Sequence, residues 1–304
     1  MSATKARVIR ATGSHYRVVY PDGAKGEAIL RGKMRLAAST DTNPVVVGDE
    51  VEVENGVILS VLPRRNYILR KSARSGARRQ VMCANVDLVV VVACLFKPFC
   101  PLTFIDGVLA TAEAYHIPAV VVFNKLDLLE KEEDWNKLED LVEIYESVGY
   151  AVETVSALKP GTIAGLRERM RDRCSFLAGP SGVGKSTLVN ALAPGLNLRV
   201  GEISHKWETG RHTTTFAEMH PLPFGGFVID APGVKEFLPT DMTPAELAQY
   251  YPEMRSSATR CRFNNCTHIG EPDCAVRTAV ENGEIPATRY HTYLGLVESL
   301  RSVS

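Results

Sequence analysis

Short apolar runs separated by turn residues occupy the first part of the chain. The runs begin at Arg7, Tyr16, Glu27, Asp49 and Val57, and a turn at Pro21 to Gly23 separates the second run from the third. Five short strands within about 60 residues are typical of a closed barrel of the OB type. Such barrels often bind single-stranded nucleic acid, although an SH3-like barrel used for protein contacts has the same pattern.

The pattern changes at Val86, where a continuous apolar run up to Cys94 predicts a parallel strand buried on both faces. Further strands are predicted at 118–123, 151–155, 175–178, 215–220 and 226–230, and helices at 103–116, 131–148 and 162–171. This alternation indicates an α/β fold with a doubly wound parallel sheet. After residue 240 the chain is predicted to be helical, with a capping box at Thr243 to Glu246 and a last helix over 286–300.

Composition narrows the class of protein. The apolar fraction of 45% and the charged fraction of 23% are those of an ordinary globular chain, which excludes a disordered or collagen-like one. The longest apolar run, Leu88 to Phe96, is too short to cross a bilayer, so we expect no membrane partner. No secretory signal is visible, so we expect a cytoplasmic protein whose seven cysteines stay reduced.

Charge is divided unevenly although the net charge is zero. Residues 1–80 hold 15 Lys and Arg against 7 Asp and Glu, whereas the remainder holds 20 against 28. The basic third predicts a polyanionic partner, with an uneven solvated surface as the alternative. The stretch 64–80 has no acidic residue, and we interpret it as a mobile linker for phosphate contacts. Its cations are Arg64, Arg65, Arg70, Lys71, Arg74, Arg78 and Arg79.

A phosphate-binding loop is indicated between a predicted strand and a predicted helix. Residues 179–186 fit the pattern G-x-x-x-x-G-K-S, in which backbone N–H groups and a helix N-terminus surround phosphates. We expect Lys185 to reach the β- and γ-phosphates and the Ser186 hydroxyl to bind Mg²⁺, with a plain glycine-rich turn as the alternative. The predicted nucleotide-binding residues are Gly179, Pro180, Ser181, Gly182, Val183, Gly184, Lys185, Ser186 and Thr187.

A guanine-reading motif precedes this loop. Asn124-Lys125-Leu126-Asp127 follows a buried strand, at the sheet edge where ligands bind. The Asp127 carboxylate can accept from N1–H and the exocyclic amino group of guanine, whereas adenine has no donor at N1. The stem of Lys125 can stack on the base, and Ser156 and Ala157 can present a backbone N–H to O6. Asp127 as an ordinary helix cap is the alternative.

Two further segments are candidates for the γ-phosphate and its metal. Asp230 ends an apolar strand, the expected position of an acid that holds Mg²⁺ through water, and the Gly233 N–H can then meet the γ-phosphate. Within Gly210-Arg211-His212-Thr213-Thr214-Thr215, we favour Thr214 as the hydroxyl that completes the Mg²⁺ shell only when the γ-phosphate is present. A threonine-rich loop entering a strand is the alternative.

Catalysis of hydrolysis needs a group that orients water. Val234 stands where many GTPases have glutamine and cannot form that hydrogen bond, so we expect slow intrinsic turnover and a partner that accelerates it. His212 is the nearest candidate substitute, and a surface histidine without a catalytic role is the alternative. The candidate catalytic residues are therefore His212, Lys185 and Thr214.

A cysteine and histidine cluster lies at 261–274. Cys261-x₄-Cys266-x-His268-x₅-Cys274 supplies three thiols and one imidazole, a standard set for one structural zinc ion with no open position for catalytic water. A loop of unligated thiols is the alternative. Arg255, Arg260 and Arg262 flank the first ligand, where RNA contact and plain solvation explain them equally well.

The order of these motifs is unusual, because the guanine motif precedes the P-loop. With a barrel before them and a Cys/His cluster after them, they resemble the RsgA (YjeQ) family of circularly permuted GTPases of small-ribosomal-subunit biogenesis. The resemblance covers nearly the whole chain, and 210–215 is its most specific signature, whereas Ala231 departs from the threonine of many G proteins. It implies an OB barrel over 1–66, a basic linker over 67–80, a permuted GTPase domain over 81–240 and a zinc-binding, mostly helical domain over 241–304.

The resemblance further implies a monomeric enzyme that binds GTP and GDP, uses Mg²⁺ and hydrolyses GTP to GDP and phosphate. Its implied partner is the small ribosomal subunit with its rRNA, late in maturation. Two alternatives stay open: a nucleotide-gated RNA-binding module with incidental turnover, which Val234 favours, and a GTPase acting on another RNA. A P-loop ATPase or kinase is disfavoured by Asp127.

Overall fold

The structure is a computed structural model of the 304-residue chain, and it describes residues 3–30, 44–71, 79–196, 198, 217–230 and 242–303. The chain forms two compact units, each built from separate segments. The first unit comprises Met1–Val89, Ile163–Leu177 and Lys185–Glu236, and the second comprises Val90–Thr162, Ala178–Gly184 and Phe237–Ser304. The four-part division at 66, 80 and 240 stays a prediction.

The described strands and helices follow the predicted order. The strands are β1 (Thr4–Thr12), β2 (His15–Val19), β3 (Lys25–Leu30), β4 (Glu50–Glu54), β5 (Val57–Val61), β6 (Tyr67–Lys71), β7 (Arg79–Ala84), β8 (Leu88–Ala93), β9 (Ala119–Phe123), β10 (Ala151–Thr154), β11 (Cys174–Ala178), β12 (Glu218–Pro221) and β13 (Phe227–Asp230). The helices are α1 (Leu102–Ala114), α2 (Glu132–Ser147), α3 (Ala164–Met170), α4 (Lys185–Leu192), α5 (Pro244–Gln249), α6 (Pro252–Ala258), α7 (Ala275–Glu281) and α8 (Ala287–Val303). Short 3₁₀ helices span Leu126–Leu128 and Pro160–Ile163.

The predicted OB-type barrel is confirmed in the first unit. Its strands pair in the order β1-β2-β3-β5-β4, and β4 pairs back onto β1, so the sheet closes. The β3–β5 pair is parallel and the other pairs are antiparallel. Side chains alternate along each strand, so that Val8, Val18, Val51 and Ile58 fill the interior.

The α/β sheet is mixed rather than purely parallel. In the first unit β11 and β13 are parallel, but β12 is antiparallel to β13. The reason is the short connection through Gly225 and Gly226, whose φ angles of +89° and +77° allow a tight reversal of the chain. At its other edge β12 pairs with β1 of the barrel, with Arg10 opposite Glu218.

The second unit contains β8, β9 and β10, with β9 in the middle, together with α1, α2 and the C-terminal helices. All six residues of β8 are buried, as its continuous apolar run predicts. The capping box that starts α5 is confirmed: the Thr243 hydroxyl accepts from the Glu246 N–H at 3.2 Å, and the Glu246 carboxylate accepts from the Thr243 N–H at 2.7 Å. Nowhere in the described ranges does a helix reach the length and apolarity that a membrane span requires.

Both ends of the predicted basic linker form β-strands, whereas the sequence predicted a mobile segment. Residues 67–71 and 79–84 form the antiparallel pair β6–β7, in which Ile68 and Cys83 are fully buried. Arg64 forms a two-pronged ion pair with the buried Asp49, at 2.7 and 2.8 Å, and Arg65 pairs with Asp87 at 2.9 Å. Arg64 and Arg65 are therefore each paired with a carboxylate that is distant in sequence. The linker residues 72–78 lie outside the described part of the chain.

Candidate nucleotide site and metal centre

The guanine motif begins where β9 ends, and its first residue joins two other loops. Asn124 is only 4% exposed. Its Nδ2 donates to the carbonyl of Val183 at 2.8 Å, and its Oδ1 accepts from the Ala157 N–H at 3.1 Å. The motif, the P-loop and the loop after β10 therefore meet within the second unit, although Val183 is 59 residues away from Asn124 in sequence.

Lys125 adds a second link to the P-loop. Its backbone is left-handed, with φ +70°, and its Nζ donates to the carbonyl of Gly182 at 2.6 Å and to that of Lys97 at 2.5 Å. The loop after β8 is held in turn by the Cys94 thiol, which donates to the carbonyl of Pro98 at 2.9 Å. Sequence reasoning missed the loop at 94–101, because backbone carbonyls carry no residue-type signal.

Two glycines allow the P-loop to approach these side chains. Gly184 has φ +93°, and a Cβ there would lie 2.5 Å from Asn124 Nδ2. Gly182 has φ +86°, and a Cβ there would lie 3.1 Å from Pro98 Cδ. A side chain at position 184 would therefore meet both backbone strain and a clash with the residue that joins the loops.

The predicted donors to guanine O6 already have partners within the protein. The Ala157 N–H donates to Asn124, and the Ser156 N–H donates to the Thr162 hydroxyl at 2.9 Å. The Ser156 hydroxyl donates to Asp127 Oδ1, which fixes the carboxylate that is expected to read guanine. A base at this site would share the Ala157 N–H with Asn124, and Thr162 is a supporting residue that the sequence did not reveal.

The phosphate and Mg²⁺ side of the site is described only in part. Lys185 is the first residue of α4, and Ser186 next to it is buried. Asp230 is the last residue of β13, whose parallel neighbour β11 leads into the P-loop. His212, Thr214, Gly233 and Val234, for which the sequence predicts roles, lie outside the described residues. The side chain of Asp230 also lies outside the described part of the chain.

The Cys/His cluster is brought together as predicted. The ligand atoms of Cys261, Cys266, His268 and Cys274 all lie within 4.8 Å of one another. His268 Nδ1 lies 3.6 Å from the Cys261 sulfur and 3.4 Å from the Cys274 sulfur, and these two sulfurs are 3.9 Å apart. Tetrahedral zinc with bonds of about 2.0 Å to nitrogen and 2.3 Å to sulfur separates neighbouring donors by about 3.5 to 3.8 Å. The cluster therefore fits one metal ion.

Burial shifts the pKa values of the cluster. It raises the pKa of the Cys266 thiol to about 12 and lowers the pKa of His268. Neutral imidazole is the form that binds metal, and ionised thiolates here need a compensating cation. Burial also opposes ionisation of Glu271, but hydrogen bonds from Thr267 and the backbone of Ile269 outweigh it and lower the pKa of Glu271 to about 2.

Helix α8 connects the metal loop to α1. On one side, the Tyr290 hydroxyl donates to the carbonyl of His268 at 2.7 Å, and the Tyr293 hydroxyl donates to that of Thr267 at 2.6 Å. On another side, Arg289 forms an ion pair with Asp106 of α1, and both side chains are 1% exposed. A single helix thus contacts both the metal loop and the helix that follows the 94–101 loop.

Around Arg289 the second unit has a buried charged network, which we call the Arg289 network. Arg289 Nε donates to Glu253 Oε1 at 2.7 Å, and its guanidinium lies 4.5 Å from the centroid of the Tyr251 ring. Asp106 accepts from the Tyr145 hydroxyl at 2.9 Å and from the Thr292 hydroxyl. The network ties α1, α2, α6 and α8 together, and the sequence gives no sign of it because the partners lie far apart along the chain.

Comparison with known proteins identifies the family. The model of the family described as RsgA GTPase matches residues 61–239, more than half of the chain. The chain belongs to the RsgA GTPase family. It is therefore a GTP-hydrolysing enzyme, and its guanine motif precedes its P-loop, as expected of a circularly permuted member.

Individual relatives agree with this assignment. This RsgA GTPase is 41% identical to a protein of Bacteroides fragilis named small ribosomal subunit biogenesis GTPase RsgA, over 97% of this chain and 96% of the relative. A protein of the same name from Christiangramia forsetii is 42% identical over 96% and 95% of the two chains.

Solved structures show the same fold. YjeQ from Thermotoga maritima superposes with a TM-score of 0.82 at 34% identity, covering 98% of each chain. YloQ, described as a circularly permuted GTPase, superposes with a TM-score of 0.76 at 27% identity, covering 99% of this chain and 96% of that one.

Proposed function

We propose that this protein binds the small ribosomal subunit and hydrolyses GTP to GDP and phosphate during late maturation of that subunit. The names of the relatives support the biological role. The observation that carries the nucleotide assignment is the pair of hydrogen bonds from Asn124 and Lys125 to P-loop carbonyls. These bonds hold the guanine motif against the P-loop, which supports the binding of one guanine nucleotide by both.

In this proposal the residues supply position and charge, and none forms a covalent intermediate. Asp127 reads the guanine edge, Lys125 covers one face of the base, and Lys185 neutralises the phosphates. Ser186 and Thr214 would hold Mg²⁺ directly and Asp230 would hold it through water, and the Gly233 N–H would contact the γ-phosphate. Mg²⁺ would neutralise charge that develops on the phosphate oxygens.

The proposed metal at Cys261, Cys266, His268 and Cys274 is zinc in a structural role. Four protein donors leave no open position, so the ion would hold the loop from 261 to 274 in place. The hydroxyls of Tyr290 and Tyr293 in α8 donate hydrogen bonds to carbonyls of that loop.

The proposed RNA-binding part is the barrel. The three arginines near the metal loop all have acidic neighbours: Arg255 pairs with Glu113, Arg262 lies 2.9 Å from Asp273, and Arg260 lies 4.0 Å from Glu284. Arg64 and Arg65 are paired as well. Contacts of residues 1–80 with RNA phosphates would therefore be made by cations other than Arg64 and Arg65.

Action on ribosomes would place the protein in the cytoplasm, and we propose that it acts as a monomer.

The decisive experiment is GTP turnover with purified small subunits, with large subunits and with neither. We expect small subunits alone to accelerate turnover, by about tenfold or more, because binding would order the group that positions water. Equal turnover in all three reactions would instead favour the nucleotide-gated RNA-binding module. Acceleration by a different RNA would redirect the proposal to that RNA.

The guanine assignment is tested by Asp127→Asn. We expect GTP affinity to fall by about 30-fold or more, since the Asn amide loses the charge and keeps only one acceptor oxygen for the two guanine N–H donors, while weak ATP binding stays the same. Competition of GTP and ATP against a labelled guanine nucleotide measures both affinities. Equal GTP affinity in wild type and variant would show that Asp127 is only a helix cap.

A further inference from the structure

A concave site lies on the barrel, beside the turn that joins β2 to β3. Its cavity has a volume of about 420 Å³ and lies next to the first residue of β13, Phe227. The lining residues are Lys5, Ala6, Arg7, Val19, Tyr20, Pro21, Gly23, Glu50 and Phe227. This volume is within the range of small-ligand sites and is large enough for one nucleotide.

The aromatic side chains of this cavity are held in place. The Tyr20 ring packs over β3 because position 26 is glycine: a Cβ there would lie 3.0 Å from Tyr20 Cε2. On the other wall, the Arg7 guanidinium lies over the Phe227 ring, 5.6 Å from its centroid, and Glu50 holds Arg7 at 2.8 Å. Preorganised aromatic walls reduce the entropy that a stacking ligand loses.

The charge of the cavity favours an anionic ligand. Lys5 is exposed at its rim, and among the described residues no carboxylate lies within ion-pair distance of Lys5. Arg7 and Glu50 offset each other. Glu52 stands opposite Lys5 in the β1–β4 pair but does not line the cavity, so the lining residues carry one net positive charge. Farther along β2 and β3, Arg17 is paired with Glu27 at 2.9 Å.

We propose that this cavity binds one unpaired nucleotide of an RNA strand, with the base against Tyr20 and Phe227 and the phosphate at Lys5. A base that is still paired within a helix cannot enter a concave site, so the ligand is a single-stranded or splayed-out nucleotide. Stacking on aromatic rings accepts any base, and the cation tracks the backbone. The proposal rests on the proposed action on ribosomal RNA and names where on the barrel that RNA binds.

Binding of a labelled single-stranded oligoribonucleotide of about ten nucleotides to the full-length protein tests the site. Fluorescence anisotropy should show that Tyr20→Ala binds about tenfold more weakly, while Tyr20→Phe, which keeps the ring, binds within about twofold of wild type. Lys5→Gln should reduce the slope of log affinity against log salt by about 0.7. Ile29→Ala, at an exposed residue near the end of β3 that is distant from the β2–β3 turn, is the matched control and should bind like wild type.

A second readout does not depend on how well the variants fold. Oligoribonucleotides that carry 4-thiouridine should cross-link to wild-type protein in the tryptic peptide 18–25, which contains Tyr20. The proposal is overturned if Ile29→Ala weakens binding and Tyr20→Ala does not, or if cross-links fall elsewhere. If the protein binds no RNA yet hydrolyses GTP, both the cavity and the RNA part of the proposed function fail, and the GTPase assignment stands.

Discussion

At the scale of single residues, Asn124 determines how the nucleotide site is assembled. Its two hydrogen bonds join the P-loop to the loop after β10, and Gly184 leaves just enough room for its amide. Any larger residue at Gly184, where φ is +93°, would be strained and would press on the buried Asn124 amide.

The first prediction follows from that close approach. In Gly184→Ala, the added Cβ would displace the Asn124 amide, so we expect GTP affinity to fall by about tenfold or more while the protein stays folded. Gly161→Ala is the matched control, because a Cβ at Gly161 meets no atom within 4 Å. Titration with a fluorescent guanine nucleotide measures the affinities, and equal values for both variants would contradict the prediction.

The second prediction concerns the water-orienting group, which lies outside the described residues. In His212→Ala we expect turnover stimulated by small subunits to fall by about a hundredfold with GTP affinity unchanged, because such a group acts only in the transition state. Single-turnover kinetics and nucleotide titration separate the two quantities. Unchanged turnover would remove His212 from the mechanism.

The sequence predicted those site residues whose spacing alone is diagnostic. The Cys/His spacing belongs to this class, and the structure brings Cys261, Cys266, His268 and Cys274 together. The roles of the P-loop and of the guanine motif stay predictions. Thr162 and the carbonyl of Lys97 could not be predicted, because each acts through a contact that only the folded chain creates. The pairing of the Ala157 N–H with Asn124 was missed for the same reason.

At the scale of elements, the sequence predicted the first and last residues of strands and helices to within a few positions wherever the apolar period was clear. β8 and α2 are examples, because their patterns of burial are continuous or strongly one-sided. The β6–β7 pair was missed because its many arginines concealed the buried Ile68 and Cys83. The mixed sheet was missed because strand direction depends on the glycine turn at 225–226.

The prediction at the scale of elements concerns the Arg289 network. Arg289→Met should lower the free energy of unfolding by about 3 to 5 kcal/mol, because Asp106 and Glu253 would stay buried without their cation. Urea unfolding of the full-length protein measures the change. Arg17→Met, which breaks the exposed pair with Glu27, is the control and should leave the midpoint essentially unchanged. Equal effects of the two variants would contradict the network's role.

At the scale of the whole molecule, the permuted order of motifs determines what the C-terminal helices fold with. They belong to the same unit as the guanine motif, and α8 contacts α1 through the Arg289 network. The segment 231–241 leads from β13 directly into those helices. A change at Gly233 on loss of the γ-phosphate would therefore act on a segment that is covalently continuous with them.

Removal of the metal gives the prediction at this scale. With a chelator present, we expect amide protection to be lost between 261 and 274, because the four donors would lose the ion that joins them, while α8 keeps most of its protection through the Arg289 network. Hydrogen exchange of the metal-loaded and chelated proteins, read by mass spectrometry, tests this order. Simultaneous loss along α8 would show that the metal also holds that helix.

Helix α8 is bonded both to the loop 261–274 and to α1, and this has a consequence for truncated forms of the protein. A premature stop codon just upstream of Ala287 would leave every nucleotide motif intact in the translated chain. That chain would nevertheless lack Arg289 and Thr292, so Asp106 would be left as an uncompensated charge within the second unit. Such a late nonsense mutation should therefore behave as a complete loss of the protein.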